Sequence, residues 1–128
     1  MKTMNDYTCH CTEEQTRRAY KLGAPIRKIT NIFNVDNGEQ FYRDNLLYVC
    51  MGDFCCVIPT TQQMIGWLRE KGFWIYVKRY WQYNTFYACI EKQGLVRIEC
   101  TDDFEKPEQA ERAAIDAALD YLEKGGKL

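Results

Sequence analysis

A chain of 128 residues with 46% hydrophobic and 27% charged residues is sized and composed for one globular domain with its own core. A formal net charge of −1 and a pI near 5.9 lack the basic excess of a dedicated duplex-DNA or RNA binder. No apolar run approaches the roughly 18 residues of a membrane span, and the N-terminal stretch Met1-Lys2-Thr3-Met4-Asn5-Asp6-Tyr7-Thr8 has no hydrophobic signal core, so a cytoplasmic protein without membrane contact is expected.

Residues 1–11 read as a flexible tail. Segment 12–58 reads as a helix followed by strands. Thr12-Glu13-Glu14-Gln15 has the spacing of a capping box, and the helix it opens stops at Gly23 with Pro25 beyond. Its apolar content is thin (Ala19, Tyr20, Leu22), which predicts a surface helix with one narrow stripe buried. Strands are expected over 26–33, 41–51 and 54–58, separated by turn signals at Asn34–Gly38 and Gly52-Asp53.

Segment 60–124 reads as helix, three antiparallel strands, helix. Thr60 and Gln63 repeat the capping-box spacing, and Met64, Ile65 and Leu68 form a core stripe. The same order of Thr-x-x-Gln, helix, glycine stop and strands thus occurs twice in the chain. In the strand 73–81, Phe73, Ile75 and Val77 share one face, while Trp74, Tyr76, Lys78 and Tyr80 share the other. Strands 86–91 and 95–100 follow, with Tyr87 and Cys89 alternating against Phe86, Ala88 and Ile90. Pro107 opens a last helix whose small-residue stripe, Ala110, Ala114, Ala117 and Ala118, lets it lie close on a sheet. The fold class expected is α+β, an antiparallel sheet with helices packed on one face.

Candidate chemistry is sparse. Seven cysteines are scattered (Cys9, Cys11, Cys50, Cys55, Cys56, Cys89, Cys100), and without a signal sequence they are expected to be reduced. Cys9-His10-Cys11 with Cys50, Cys55 and Cys56 is the candidate metal cluster, because Cys and His are zinc donors. It lacks a CxxC spacing, so neither metal nor cofactor is expected. A nucleophilic thiol needs a base in reach, and His10 is the sole histidine. The paired carboxylates, Glu13-Glu14 and Asp102-Asp103, sit at helix starts, where they complement the helix dipole. The expectation is a protein that is not an enzyme.

The candidate binding residues are Trp74, Tyr76, Lys78, Tyr80 and Tyr87, the outer face of the strands, where aromatic rings interleave with cations. That face is covered by the first half of the chain, joins a second protomer in a homodimer, or meets another partner. A second basic group, Arg17, Arg18, Lys21, Arg27 and Lys28, is suited to phosphate or an acidic partner but reads first as a solvated face, with Glu14 and Arg18 as an i,i+4 pair.

Helix–three strands–helix resembles the element order of the double-stranded-RNA-binding domain. That family carries a basic cluster at the start of its last helix. Here the place reads Glu105-Lys106-Pro107-Glu108-Gln109-Ala110-Glu111-Arg112, mostly acidic, which argues against that function. Three segments carry a further resemblance: Thr12–Arg17 through Leu22-Gly23-Ala24-Pro25, Ile58-Pro59-Thr60-Thr61-Gln62-Gln63-Met64-Ile65-Gly66-Trp67-Leu68, and Ala113–Leu122. In these the chain is similar to small uncharacterised proteins of Bacteroides-type gut bacteria and their phages and mobile elements. The resemblance implies a bacterial or phage cytoplasmic protein and assigns no catalytic residue. The function expected is a non-catalytic binding or interaction module, with a protein partner of unknown identity. The alternative is a nucleic-acid-associated accessory protein of a mobile element, using Lys78, Arg79 and the N-terminal basic residues.

Overall fold

The computed structural model describes residues 9–30, 40–43, 46–51, 54–92, 97–100 and 103–125. Its elements in chain order are α1 (Glu13–Lys21), β1 (Lys28–Thr30), β2 (Gln40–Arg43), β3 (Leu46–Cys50), β4 (Phe54–Val57), α2 (Thr61–Glu70), β5 (Phe73–Tyr80), β6 (Thr85–Lys92), β7 (Arg97–Cys100) and α3 (Pro107–Glu123). The class is α+β, as the residue patterns require. The strands divide into two antiparallel sheets, ordered β1-β4-β3-β2 and β5-β6-β7.

Both capping boxes form. The Thr12 hydroxyl accepts from the Gln15 N–H at 3.0 Å and Gln15 Oε1 accepts from the Thr12 N–H at 3.0 Å. Thr60 and Gln63 repeat this at 3.1 and 2.9 Å. Each box satisfies two backbone donors that a helix start leaves unpaired. At α3 only the return half is present, Gln109 Oε1 accepting from the Lys106 N–H at 3.1 Å, with Pro107 in the first turn needing no donor partner. Gly23 at φ +91 and Gly72 at φ +96 end α1 and α2 in the left-handed region that side chains disfavour.

One core joins the helices to the inner faces of both sheets. Leu47, Val49 and Cys56 from the first sheet pack in the same cluster as Met64, Ile65, Trp67 and Leu68 of α2, Phe73, Ile75, Ala88 and Ile90 of the second sheet, and Ala110, Ala114, Ile115, Ala118 and Leu119 of α3. The alanine stripe brings the α3 backbone close to β5 and β6, and burying a side chain such as Phe73 contributes about 2–3 kcal/mol. The Phe73 ring meets Tyr121 edge-on at 5.4 Å. A smaller cluster of Tyr48, Cys50 and Cys55 lies on the other face of the first sheet, because adjacent strand residues point to opposite sides.

Several expectations change. Residues 9–11, read as part of a flexible tail, are fixed. His10 bridges Thr60, the Cys11 N–H donates to the Pro59 carbonyl at 2.9 Å, the Thr61 N–H donates to the Cys9 carbonyl at 2.9 Å, and the Cys11 side chain is buried. The strand expected over 41–51 is two strands. Arg43 lies opposite Leu46 in a hairpin, and Asp44-Asn45 between them are turn-forming residue types. The turn expected at Asn34–Gly38 and the one at Gly52-Asp53 lie outside the described residues.

Helix α1 is held by polar atoms as well as by a thin apolar stripe, Ala19 in the core with Tyr20 and Leu22 packed against it. Gln15 and Thr16 are buried beside Ala19. Gln15 Nε2 donates to the Arg112 carbonyl at 2.8 Å and to Asp116 Oδ1 at 2.9 Å, so the capping residue also binds α1 to α3. Arg18, expected to pair with Glu14, instead reaches across to Asp116 at 3.5 Å, to Asp120 and to Glu123 at 2.6 Å. Its acidic partner is the last helix of its own chain.

Candidate binding surface

Strand β5 alternates, and its pairing with β6 fixes which residues share a face. Trp74 lies opposite Glu91, Tyr76 opposite Cys89, Lys78 opposite Tyr87 and Tyr80 opposite Thr85. Directly opposed residues of an antiparallel pair project to the same side. Trp74, Tyr76, Lys78, Tyr80 and Tyr87 therefore share the outer face, away from the helices that cover Phe73 and Ile75. The face is open at its ends, where Trp74 is 48% exposed and Tyr80 41%, whereas Tyr76 and Tyr87 between them are half-buried and Cys89, opposite Tyr76, is buried.

The face is organised by ring and charge contacts. The Arg69 guanidinium, from α2, lies 5.0 Å from the Trp74 ring centre. Lys78 Nζ lies 5.3 Å from the Tyr76 ring centre, and the Tyr76 hydroxyl donates to Glu91. Cations over ring faces are attracted by the negative π-surface, by about 0.5–1 kcal/mol where solvent is present. Tyr80 meets Tyr87 in a tilted contact at 6.3 Å.

The surface continues past the strands. Residues 81–84 form the turn, and Trp81 (77% exposed) and Tyr83 (69% exposed) project from it. Tyr83 stacks on Tyr80 with ring centres 5.2 Å apart and planes within 15°. Arg79 Nη2 donates to Asn84 Oδ1 at 2.7 Å, closing the turn around a positive φ of 52° at Asn84. Arg79, Tyr80, Trp81, Gln82 and Tyr87 line an open cleft of about 330 Å³. Thr85 Oγ1, at the base of the turn, is buried and has no hydrogen-bond partner among the described residues.

Sequence reasoning placed Trp81 at the end of the strand and passed over Tyr83. The available signal was two aromatic residues inside the turn sequence Trp81-Gln82-Tyr83-Asn84. A turn has no second face against which to bury such rings.

The cysteine–histidine set does not converge. Cys9 Sγ lies 3.3 Å from His10 Nδ1 at the surface. The Cys11 thiol is buried against the Thr60 carbonyl, and burial pushes its pKa up to about 12. Cys56 faces the core, where burial pushes its thiol up to about 11, while Cys50 and Cys55 occupy the opposite face of the sheet. Among the described residues no three Cys, His, Asp or Glu side chains stand close enough to share a metal ion. Thiols raised this far are poor nucleophiles near neutral pH. No helix among the described residues is long and apolar enough to cross a membrane.

Comparison with known proteins returned no matching family model, no matching curated protein and no matching solved structure.

Proposed function

We propose that this protein is a non-catalytic binding module, a small bacterial or phage protein whose contact surface is the outer face and turn of the β5–β6 hairpin. The observation that carries this reading is the exposure of Trp74 and Tyr80 on the outer face of the hairpin and of Trp81 and Tyr83 at its turn, where Tyr83 stacks on Tyr80. Hydrating four large rings forgoes burial worth on the order of 1.5–3 kcal/mol for each full side chain. Aromatic residues and arginine are also the side chains that carry most binding energy where proteins meet.

The partner this surface fits first is a second copy of the chain. Lys78 and Glu91 lie on the same face, on either side of Tyr76. A two-fold axis near Tyr76 would set each lysine against the other protomer's carboxylate, the self-complementarity that a symmetric dimer needs. Strand β5 is also an edge of its sheet.

A second reading, nucleic-acid association, is favoured by Lys78 and Arg79 beside the stacked Tyr80 and Tyr83, a pattern suited to unpaired bases. The start of α3 opposes a duplex-RNA mode, because Arg112, one of its two cations, donates to the His10 carbonyl.

Sedimentation velocity over a range of concentrations separates the readings. The parent is expected to dimerise, and Trp81→Ala combined with Tyr83→Ala to remain monomeric. A monomeric parent that binds a fluorescent oligonucleotide in a salt-dependent manner supports the second reading. A monomer that also ignores the oligonucleotide at low salt overturns both.

A further inference from the structure

Strands β3 and β4 form a hairpin in which Cys50 stands directly opposite Cys55. The backbone bonding fixes what kind of pair this is. The Met51 N–H donates to the Phe54 carbonyl at 2.8 Å, and the Ile58 N–H donates to the Leu47 carbonyl at 2.7 Å. Antiparallel pairs alternate between hydrogen-bonded and non-hydrogen-bonded. Met51 with Phe54 and Leu47 with Ile58 are of the first kind, so Cys50 with Cys55 is of the second. In a non-hydrogen-bonded pair the Cα atoms approach to about 4.5 Å and the side chains are closest. A disulfide spans Cα separations of about 4.4–6.8 Å.

Both side chains are buried on one face of the sheet with Tyr48, close enough that Cys50 helps to raise the Cys55 thiol's pKa. Cys56 is not a competitor, because it projects to the opposite face and packs in the main core.

We propose that Cys50 and Cys55 form a two-electron redox site, closing to a cross-strand disulfide by exchange with a low-molecular-weight disulfide such as oxidised glutathione. One cysteine, as its thiolate, attacks a glutathione sulfur. The glutathione S–S bond breaks, one glutathione thiolate leaves, and a mixed disulfide forms. The second cysteine thiolate then attacks the protein sulfur of that mixed disulfide and expels the second glutathione. The two thiol protons end on two glutathione molecules. The protein loses two hydrogens and two electrons, and one oxidised glutathione is reduced. Burial raises the Cys55 thiol above its ordinary pKa, so exchange proceeds when the hairpin opens rather than from the closed strand pair. Cys89 lies opposite Cys100 in the β6–β7 register.

The test uses the whole protein. Reduced protein is equilibrated with a glutathione buffer rich in the oxidised form, once while folded and once during refolding from denaturant. It is then quenched with acid and alkylated under denaturing conditions. Cleavage before Asp53 separates Cys50 from Cys55. The expected result is a fragment containing Cys50 linked to the fragment containing Cys55, about 2 Da lighter than the sum of the two reduced fragments. The link is expected to persist in Cys56→Ser and to disappear in Cys55→Ser. Full alkylation of both cysteines after both treatments would overturn the proposal. So would a link from Cys50 that survives Cys55→Ser and disappears in Cys56→Ser.

Discussion

Arg79 donates to Asn84 across the turn of the β5–β6 hairpin, and Asn84 sits at φ +52. Asparagine tolerates this left-handed conformation better than other non-glycine residues, and its side chain supplies the acceptor. Asn84→Ala removes the acceptor and places a disfavoured residue there, so it is expected to destabilise by about 1–2 kcal/mol. Asn84→Gly keeps the conformation and loses only the hydrogen bond, so its cost is expected to be smaller, about 0.5–1 kcal/mol. Urea unfolding of the three proteins checks the order.

Thr85 offers the opposite sign. Its buried hydroxyl has no partner among the described residues, and a buried unsatisfied hydroxyl costs about 1–3 kcal/mol. Thr85→Val keeps the branched shape and suits a strand. It is expected to raise the unfolding free energy by about 1 kcal/mol in the same assay. A loss of stability would mean that the hydroxyl is bonded in solution.

Gln15 joins a helix cap to a tertiary contact. Gln15→Leu removes the acceptor for the Thr12 N–H and the donor to the Arg112 carbonyl and Asp116 in one step. The loss is expected to be about 2–4 kcal/mol, larger than for a cap alone, because partly buried polar groups of both α1 and α3 each lose a hydrogen-bond partner. Gln63→Leu, at the equivalent but exposed position of α2, is expected to cost about 1 kcal/mol or less. The difference between the two variants measures the interhelix contribution.

Stability is expected to fall as pH drops below the ordinary histidine value of 6.5, in part through His10. Burial, and then the Arg112 guanidinium, push the imidazole below its ordinary value of 6.5. A base with a lowered folded pKa binds its proton more weakly in the folded state than in the unfolded one. Its contribution is therefore complete above the ordinary value and is lost as pH falls below it. Glu123 acts at lower pH. Arg18 holds its carboxyl below the ordinary 4.5, and the stabilisation it gives disappears as pH falls through that lowered pKa. His10→Gln is expected to flatten the upper part of the profile and leave the acid limb in place, measured by urea unfolding at stepped pH.

Trp81→Ala and Tyr83→Ala test the surface rather than the fold. Both side chains are largely exposed, so each substitution is expected to change stability by less than about 0.5 kcal/mol. Self-association is expected to weaken at least tenfold, read by sedimentation velocity. If stability falls with association, the rings support the hairpin rather than a partner.

Much of the architecture was legible in the residues themselves. Thr12 with Gln15 and Thr60 with Gln63 announced two helix starts, because a capping box acts within four residues and needs nothing from the rest of the chain. Alternation from Phe73 to Tyr80 assigned the inner and outer faces of β5 for the same reason: side chains on a strand repeat every second residue. Three of the rings that define the candidate surface, Trp74, Tyr76 and Tyr80, were visible in this way, and alternation along β6 placed Tyr87. Trp81 and Tyr83 were not, since a turn has no periodicity to read.

Only the tertiary structure decided the long-range polar pairing and the division into sheets. Nothing local to Arg18 favours Asp120 and Glu123 over Glu14. That choice follows from α1 lying beside α3, which brings residues about a hundred positions apart within reach. Cys9, His10 and Cys11 likewise looked like tail residues until the Thr61 N–H and the Arg112 side chain donated to the Cys9 and His10 carbonyls and the Pro59 carbonyl accepted from the Cys11 N–H. Cys50 and Cys55 were two thiols among seven until strand pairing set them face to face. Short-range rules wrote the helices and the strand faces into the sequence. Which distant atoms meet depends on how those elements bury one shared core, and that is settled by the whole chain at once.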